Sequence, residues 1–288
     1  MPTTMERLDQ HRGQVRIKSG PVSYIDTGGP GRPVLLVHGL VTSSYLWRNV
    51  VELLTGERRC VAFDLPLHGR TPAAADQDFS LPGLAGFLAE CCDALELSDI
   101  DLVGNDTGGA ICQALAAASP ERLHTLTLTN CETHDNMPPR LLLPAVWLAR
   151  AGITGRSLFK DAGRGRKRMY GSGYEDLANL PEDIARAWLE PLFGTREAAR
   201  QYRRILPSLR ARDLLAIEPA LRQLHVPTLI VWGTGDRFFP RKWAYWLRDA
   251  IPGATEVVEL GGARLFFPDE RAAELTAAMR QFWAAHPG

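Results

Sequence analysis

Three things are scarce in this sequence. Cysteine is one: 288 residues hold five, namely Cys60, Cys91, Cys92, Cys112 and Cys131. The number is odd, the residues sit mostly in apolar stretches, and two of them are neighbours. That pattern excludes a disulfide-stapled secreted scaffold and a zinc framework, and it fits reduced core thiols in a cytoplasmic protein. A surplus of one charge is also missing, since 33 Lys and Arg balance 33 Asp and Glu. Bulk charge therefore offers no case for a nucleic acid or a membrane as partner. Long apolar runs are the third absence. The longest, "LLLPAVWLA" at 141–149, is closed by Arg140 and Arg150 and falls short of the roughly 18 residues that a membrane span needs. The N-terminal "MPTTMERLDQHRGQVRI" lacks the apolar centre of a secretory signal, so a cytoplasmic location is expected.

What is present is an alternation. "VLLVHG" (34–39), "CVAFDLP" (60–66), "IDLVGND" (100–106) and "LHTLTLTNC" (123–131) read as buried strands, each followed by helical sequence or a loop. "PTLIVWG" (227–233) and "TEVVEL" (255–260) resume the pattern later. Continuous apolar strands between helices predict an α/β fold with a mostly parallel sheet and helices on both faces. Segments 14–18 and 21–27 are placed as an antiparallel pair at one edge. Between about 132 and 214 the strand signal stops, and Pro and Gly separate helical stretches. We divide the chain into a core of 1–135 and 215–288 and a helical cap of 136–214. The cap carries 15 Lys and Arg against 8 Asp and Glu, 15 − 8 = +7. Such charges belong either to solvated helix faces or to a basic cap that favours anionic substrates.

The chemistry centres on "LVGNDTGGAI" (102–111), where a charged residue ends an apolar strand and glycines follow. An aspartate is costly there unless it is paired or held for reaction. Gly104-Asn105-Asp106-Thr107-Gly108 has the spacing of G-x-nucleophile-x-G, in which small residues allow a sharp strand-to-helix turn. An aspartate before a helix also serves as a plain N-cap. Its place between strand and helix, with "HGL" ending an earlier strand, favours a site.

At this point the sequence resembles the α/β-hydrolase superfamily. "LLVHGLVTSSYLWRNV" (35–50) and "FDLPLHGRT" (63–71) look most like haloalkane dehalogenases and epoxide hydrolases. The resemblance implies an α/β-hydrolase fold with Asp106 as nucleophile and the backbone N–H groups of Leu40 and Thr107 as oxyanion-type donors. It also implies an acid at Asp236, in "WGTGDRFFP", or at Glu132, after "LTLTNC". His134, Tyr170, Tyr174 and Tyr202 are candidate substrate contacts. Two departures follow. Leu40 and Thr107 stand where dehalogenases place halide-binding Asn and Trp side chains. In "LGGARLFFPDE" (260–270), Leu265 stands where the family carries its histidine base, and no histidine lies between His225 and His286.

An aspartyl ester needs that base for its hydrolysis. Its absence favours a small-molecule enzyme in which Asp106 serves as acid or base in a lyase, isomerase or cyclase reaction. The alternatives are a hydrolase with a replacement base, for which His134 is the nearest candidate, or a ligand-binding pseudoenzyme. Asp106, Glu132 and Asp236 in one pocket would raise at least one carboxyl pKa. A metal held by these three would lack a clustered His or Cys, so no metal or other cofactor is expected.

Overall fold

Strands buried on both faces are largely apolar, and buried polar exceptions here, such as Asp101 and Asn105, are hydrogen-bonded. The computed structural model describes residues 4–287; residues 1–3 and 288, the outer ends of the expected core, lie outside them. Among the described residues eight strands form one sheet: β1 (Arg12–Ile17), β2 (Gly20–Asp26), β3 (Val34–Val37), β4 (Cys60–Phe63), β5 (Ile100–Asp106), β6 (Leu123–Cys131), β7 (Thr228–Gly233) and β8 (Ala254–Leu260). Their spatial order is β1-β2-β4-β3-β5-β6-β7-β8. Every residue of β3, β4, β5 and β7 is buried. The edge differs: β1 pairs antiparallel with β2, and its residues are only half-buried or exposed. β2 also pairs antiparallel with β4, and the pairings of β3–β8 with one another are all parallel.

Helices fill the connections. In the first half of the chain they are α1 (Thr4–Asp9), α2 (Arg48–Leu54), α3 (Leu81–Ala94) and α4 (Thr107–Ala118). Ser80 caps α3 by accepting from the Gly83 amide, with a proline in its first turn, which is the usual way to satisfy a helix start. Between β6 and β7 only helical elements occur among the described residues: α5 (Leu143–Arg150), α6 (Arg156–Phe159), α7 (Ala162–Tyr170), α8 (Glu182–Phe193), α9 (Arg196–Ser208) and α10 (Ala211–Leu221), with short 3-10 turns. The chain closes with α11 (Lys242–Ala250), α12 (Phe267–Glu270) and α13 (Ala272–Ala285). No helix among the described residues is long and apolar enough to cross a membrane.

The strand order decides where a ligand fits. From β3 the chain turns one way to β4, then crosses back to lay β5 on the other side of β3. Such a reversal opens a crevice at the carboxyl ends of the two strands. Val37 of β3 is level with Gly104 of β5, so the loop after β3 and the turn after β5 meet there.

Candidate active site

Asp106 is the last residue of β5, and α4 begins at the next residue. Its backbone lies at φ 56°, ψ −135°, a conformation that costs an L residue on the order of 1–3 kcal/mol and is held only by its surroundings. Two glycines permit it. A Cβ on Gly108 would stand 2.2 Å from the Val37 carbonyl oxygen, and one on Gly39 would stand 2.2 Å from Asp106 Oδ2. With no side chain at 39, the loop after β3 comes close enough for the Leu40 amide to donate to Asp106 Oδ2 at 2.9 Å.

That loop is fixed by two buried histidines. His38 Nε2 accepts from the Leu65 amide at 3.0 Å, and His68 Nε2 accepts from the Val41 amide at 3.2 Å. Accepting requires a neutral ring nitrogen, and burial lowers the His38 pKa to about 4 and the His68 pKa to about 3. Both imidazoles are thus occupied in shaping the turn that aims the Leu40 amide.

Behind Asp106 stand two further carboxyl groups. Glu132, just past β6, accepts from the Thr107 hydroxyl at 2.9 Å through Oε1. Its Oε2 is buried with no hydrogen-bond partner among the described residues. Asp236, in the loop after β7, accepts from Asn130 Nδ2 at 2.8 Å and from the Phe238 amide at 2.8 Å. Burial raises the Asp106 pKa well above the usual carboxylate value; the Glu132 charge adds to this, and the Leu40 and Thr107 amides partly offset it. Burial also lifts Glu132 to about 7, against the Thr107 hydrogen bond. Asp236 rises by burial to about 6, limited by the Phe238 amide and Asn130. Carboxyl groups crowded in a dry place retain protons near neutrality. Among the described residues no three His, Cys, Asp or Glu side chains converge as metal ligands.

In front of Asp106 is a cavity of about 390 Å³. Leu40, Asp106, Tyr202, Phe238, Leu265 and Phe266 are among its lining residues. Leu265 is 5% exposed, and its carbonyl accepts from Asn105 Nδ2 at 3.1 Å. The wall is mostly Leu, Pro, Ala and Phe, so the space suits a small, largely apolar molecule. Helices α5, α7 and α9 supply part of it.

The four candidate substrate contacts separate cleanly. Tyr202 lines the cavity, and its phenol pKa is raised by burial and then by the Asp106 charge. The other three do not line it. The Tyr170 hydroxyl donates to the Val41 carbonyl at 2.6 Å, and the Tyr174 hydroxyl donates to Asp269 Oδ2 at 2.7 Å. Both phenols are buried and committed to the structure. His134 pairs through Nδ1 with Glu218 and lies against Trp246 and Trp243, with centroids 4.9 and 5.9 Å away; it does not line the cavity. Residues that sequence reasoning missed include Phe238 and Arg203 in the wall and Asn130 behind it. Phe238 had a signal, since it follows Asp236 by two positions; Arg203 had none.

The alpha/beta hydrolase fold family matches residues 32–271. A haloalkane dehalogenase of Mesorhizobium japonicum is 36% identical over 112 residues, covering 39% of this chain and 36% of that protein. A 2-hydroxymuconate semialdehyde hydrolase of Pseudomonas sp. is 29% identical over 248 residues, 84% of this chain and 83% of that protein. Among solved structures, a haloalkane dehalogenase of Agrobacterium tumefaciens superposes with a TM-score of 0.80 at 20% identity, covering 95% of this chain and 96% of that one. At that identity the structural likeness speaks for the fold.

Proposed function

The chain belongs to the α/β-hydrolase fold family, and within it we propose a hydrolase of small, largely apolar esters or epoxides in which Asp106 acts as the base. The observation that carries this is the Asp106 carboxyl itself. One oxygen is held by the Leu40 amide, the group borders an apolar cavity, and Leu265 fills the histidine position that the resemblance implies. Residues 136–214 serve as the cap of this pocket. The relatives named as hydrolases and dehalogenases support hydrolysis over the lyase, isomerase or cyclase chemistry expected from the missing histidine.

Without a histidine, an aspartyl ester has nothing to activate the water that should remove it. Direct attack by water avoids the ester. Asp106 takes a proton from a water held against it, the hydroxide oxygen bonds to the substrate's electrophilic carbon, and the carbon–oxygen bond of the leaving group breaks. The proton on Asp106 then passes to the leaving oxygen, which returns the carboxylate. A carboxyl with a raised pKa suits this shuttle, because a base works best when its pKa lies near the working pH. The Leu40 and Thr107 side chains carry no N–H for a halide, which supports oxygen leaving groups over halides.

Single turnover in H₂¹⁸O on a panel of esters and epoxides tests the assignment. Direct attack places ¹⁸O in the first product molecule and leaves the protein's mass unchanged. A second reading, Asp106 as nucleophile, is favoured by its turn at φ 56° between two glycines. It calls for unlabelled oxygen in the first product, or a stable mass adduct on Asp106. Ligand binding without turnover or adduct would point to a binding protein.

A further inference from the structure

Two features around the cavity mouth have no part in that chemistry. The first is apolar. Six of the eight exposed large apolar side chains among the described residues fall within 141–158: Leu141, Leu143, Trp147, Leu148, Ile153 and Leu158. Trp147 is 68% exposed. Leu141, Leu148, Ile153 and Leu158 also line the cavity, so the patch forms its rim. Exposed apolar side chains scattered singly need no explanation, whereas a cluster of this kind marks a contact surface.

The second feature is charge. Residues 140–168 hold eight Lys and Arg against Asp161 alone, 8 − 1 = +7. The remainder of 136–214 holds seven of each sign, so this stretch accounts for the whole excess. Among the described residues, none of the eight cations is held in an ion pair with a carboxylate. One of these cations, Arg168, stands at the rim itself. Arg168 lines the cavity and donates through Nη1 to the Leu158 carbonyl at 3.2 Å.

We propose that this face docks on an anionic lipid surface. The leucines, Ile153 and Trp147 enter the boundary between headgroups and acyl chains, and the surrounding cations meet lipid phosphates. Charge selects this occupant over a second copy of the chain, because a two-fold contact would set +7 against +7. The apolar rim selects it over a nucleic acid, whose phosphates offer leucine nothing. The element lies on the membrane and does not span it, since α5 is 8 residues long and α7 is 9. The cavity mouth then opens onto the bilayer, and an apolar substrate passes from lipid to Asp106 without crossing water. Neutrality of the whole chain conceals this asymmetry. The docking stands independently of how Asp106 reacts.

Flotation of the full chain with vesicles tests it. Vesicles of phosphatidylcholine with phosphatidylglycerol should bind the protein at low salt and release it at high salt; pure phosphatidylcholine should not bind it. Arg164→Gln and Lys167→Gln should each weaken binding about fivefold, Trp147→Ser should weaken it too, and Lys18→Glu on the β1–β2 turn should not. Brominated lipid should quench tryptophan fluorescence in the wild type but not in Trp147→Phe. Circular dichroism checks that the variants are folded. Failure to bind phosphatidylglycerol vesicles overturns the proposal, as does wild-type binding by these variants. A dimer that buries Trp147, or capture by an acidic protein with no vesicle binding, overturns it equally.

Discussion

Asn105 donates through Nδ2 to the carbonyl of Leu265, 160 positions later, at 3.1 Å. The residue before Asp106 thereby ties down the loop that carries the substituted position. Leu265 is thus an integral part of the wall and not the edge of a collapsed loop. That relationship shapes what each substitution should do.

Asp106→Asn should fold and lose activity by about 10²–10⁴-fold, the range for removing a positioned base. Its stability should hold or rise at pH 8, because the change removes a buried carboxyl raised by burial and by Glu132. Turnover of the panel and a thermal melt check both halves. Undiminished turnover removes Asp106 from the mechanism.

Glu132→Gln reads out the buried cluster. The folded protein holds the Glu132 proton up to about pH 7, against an ordinary value of 4.5. Stability from that proton is fully present below about 4.5 and is lost as pH rises through 7. The shift corresponds to something on the order of 3 kcal/mol. Glutamine keeps an acceptor for the Thr107 hydroxyl, so the variant should show a flatter stability profile between pH 4.5 and 7. It should also be the more stable protein at pH 8. Urea unfolding at pH 5, 6, 7 and 8 measures this, and parallel profiles would contradict it.

Leu265→His asks whether the pocket is a triad lacking one member. The new ring would enter a wall shared with Phe238 and Phe266. An imidazole buried there without a partner has its pKa depressed and costs roughly 1–3 kcal/mol. We expect lower stability and no gain in hydrolysis, since Leu40 and Thr107 also depart from the dehalogenase pattern. Turnover of about 1 per second or more, an ordinary enzymatic rate, would refute that expectation.

The tyrosines give a paired comparison. Tyr202→Phe removes a hydroxyl that borders the cavity near Asp106, and it should lower kcat or raise KM with little change in Tm. Tyr170→Phe leaves the Val41 carbonyl without its donor. It should cost about 1–3 kcal/mol for the unsatisfied group and affect catalysis less. Steady-state kinetics beside melting curves separate the two. Equal effects of both substitutions would erase the distinction.

The sheet was legible because buried parallel strands are written as largely apolar runs. "VLLV" and "TLIVWG" allow little else, and the edge pair expected at 14–18 and 21–27 is β1 with β2. The turn at Asp106 was legible for a similar reason: glycine spacing reports backbone geometry directly. The helical segment was less so. Tyr170 and Tyr174 lie four positions apart, Tyr170 ending α7 and Tyr174 just beyond it, yet they serve Val41 and Asp269 on different elements. Periodicity gives a face and does not say what that face meets. For the acid, the G-x-x-D spacing after "LIVWG" favours Asp236 slightly over Glu132, but their hydrogen-bond partners are not legible in the sequence. Asp236 has Asn130 and the Phe238 amide on its two oxygens, while Glu132 has one oxygen to spare.

The stretch 140–168 has a consequence away from any membrane. A chain of zero net charge with +7 in one short stretch carries −7 elsewhere, so it is a permanent dipole. Near its isoelectric point of about 7.1 it should be retained on both a cation and an anion exchanger. It should also turn the cavity mouth first toward any negative wall. A neutral protein of even charge would pass through both columns and approach at random.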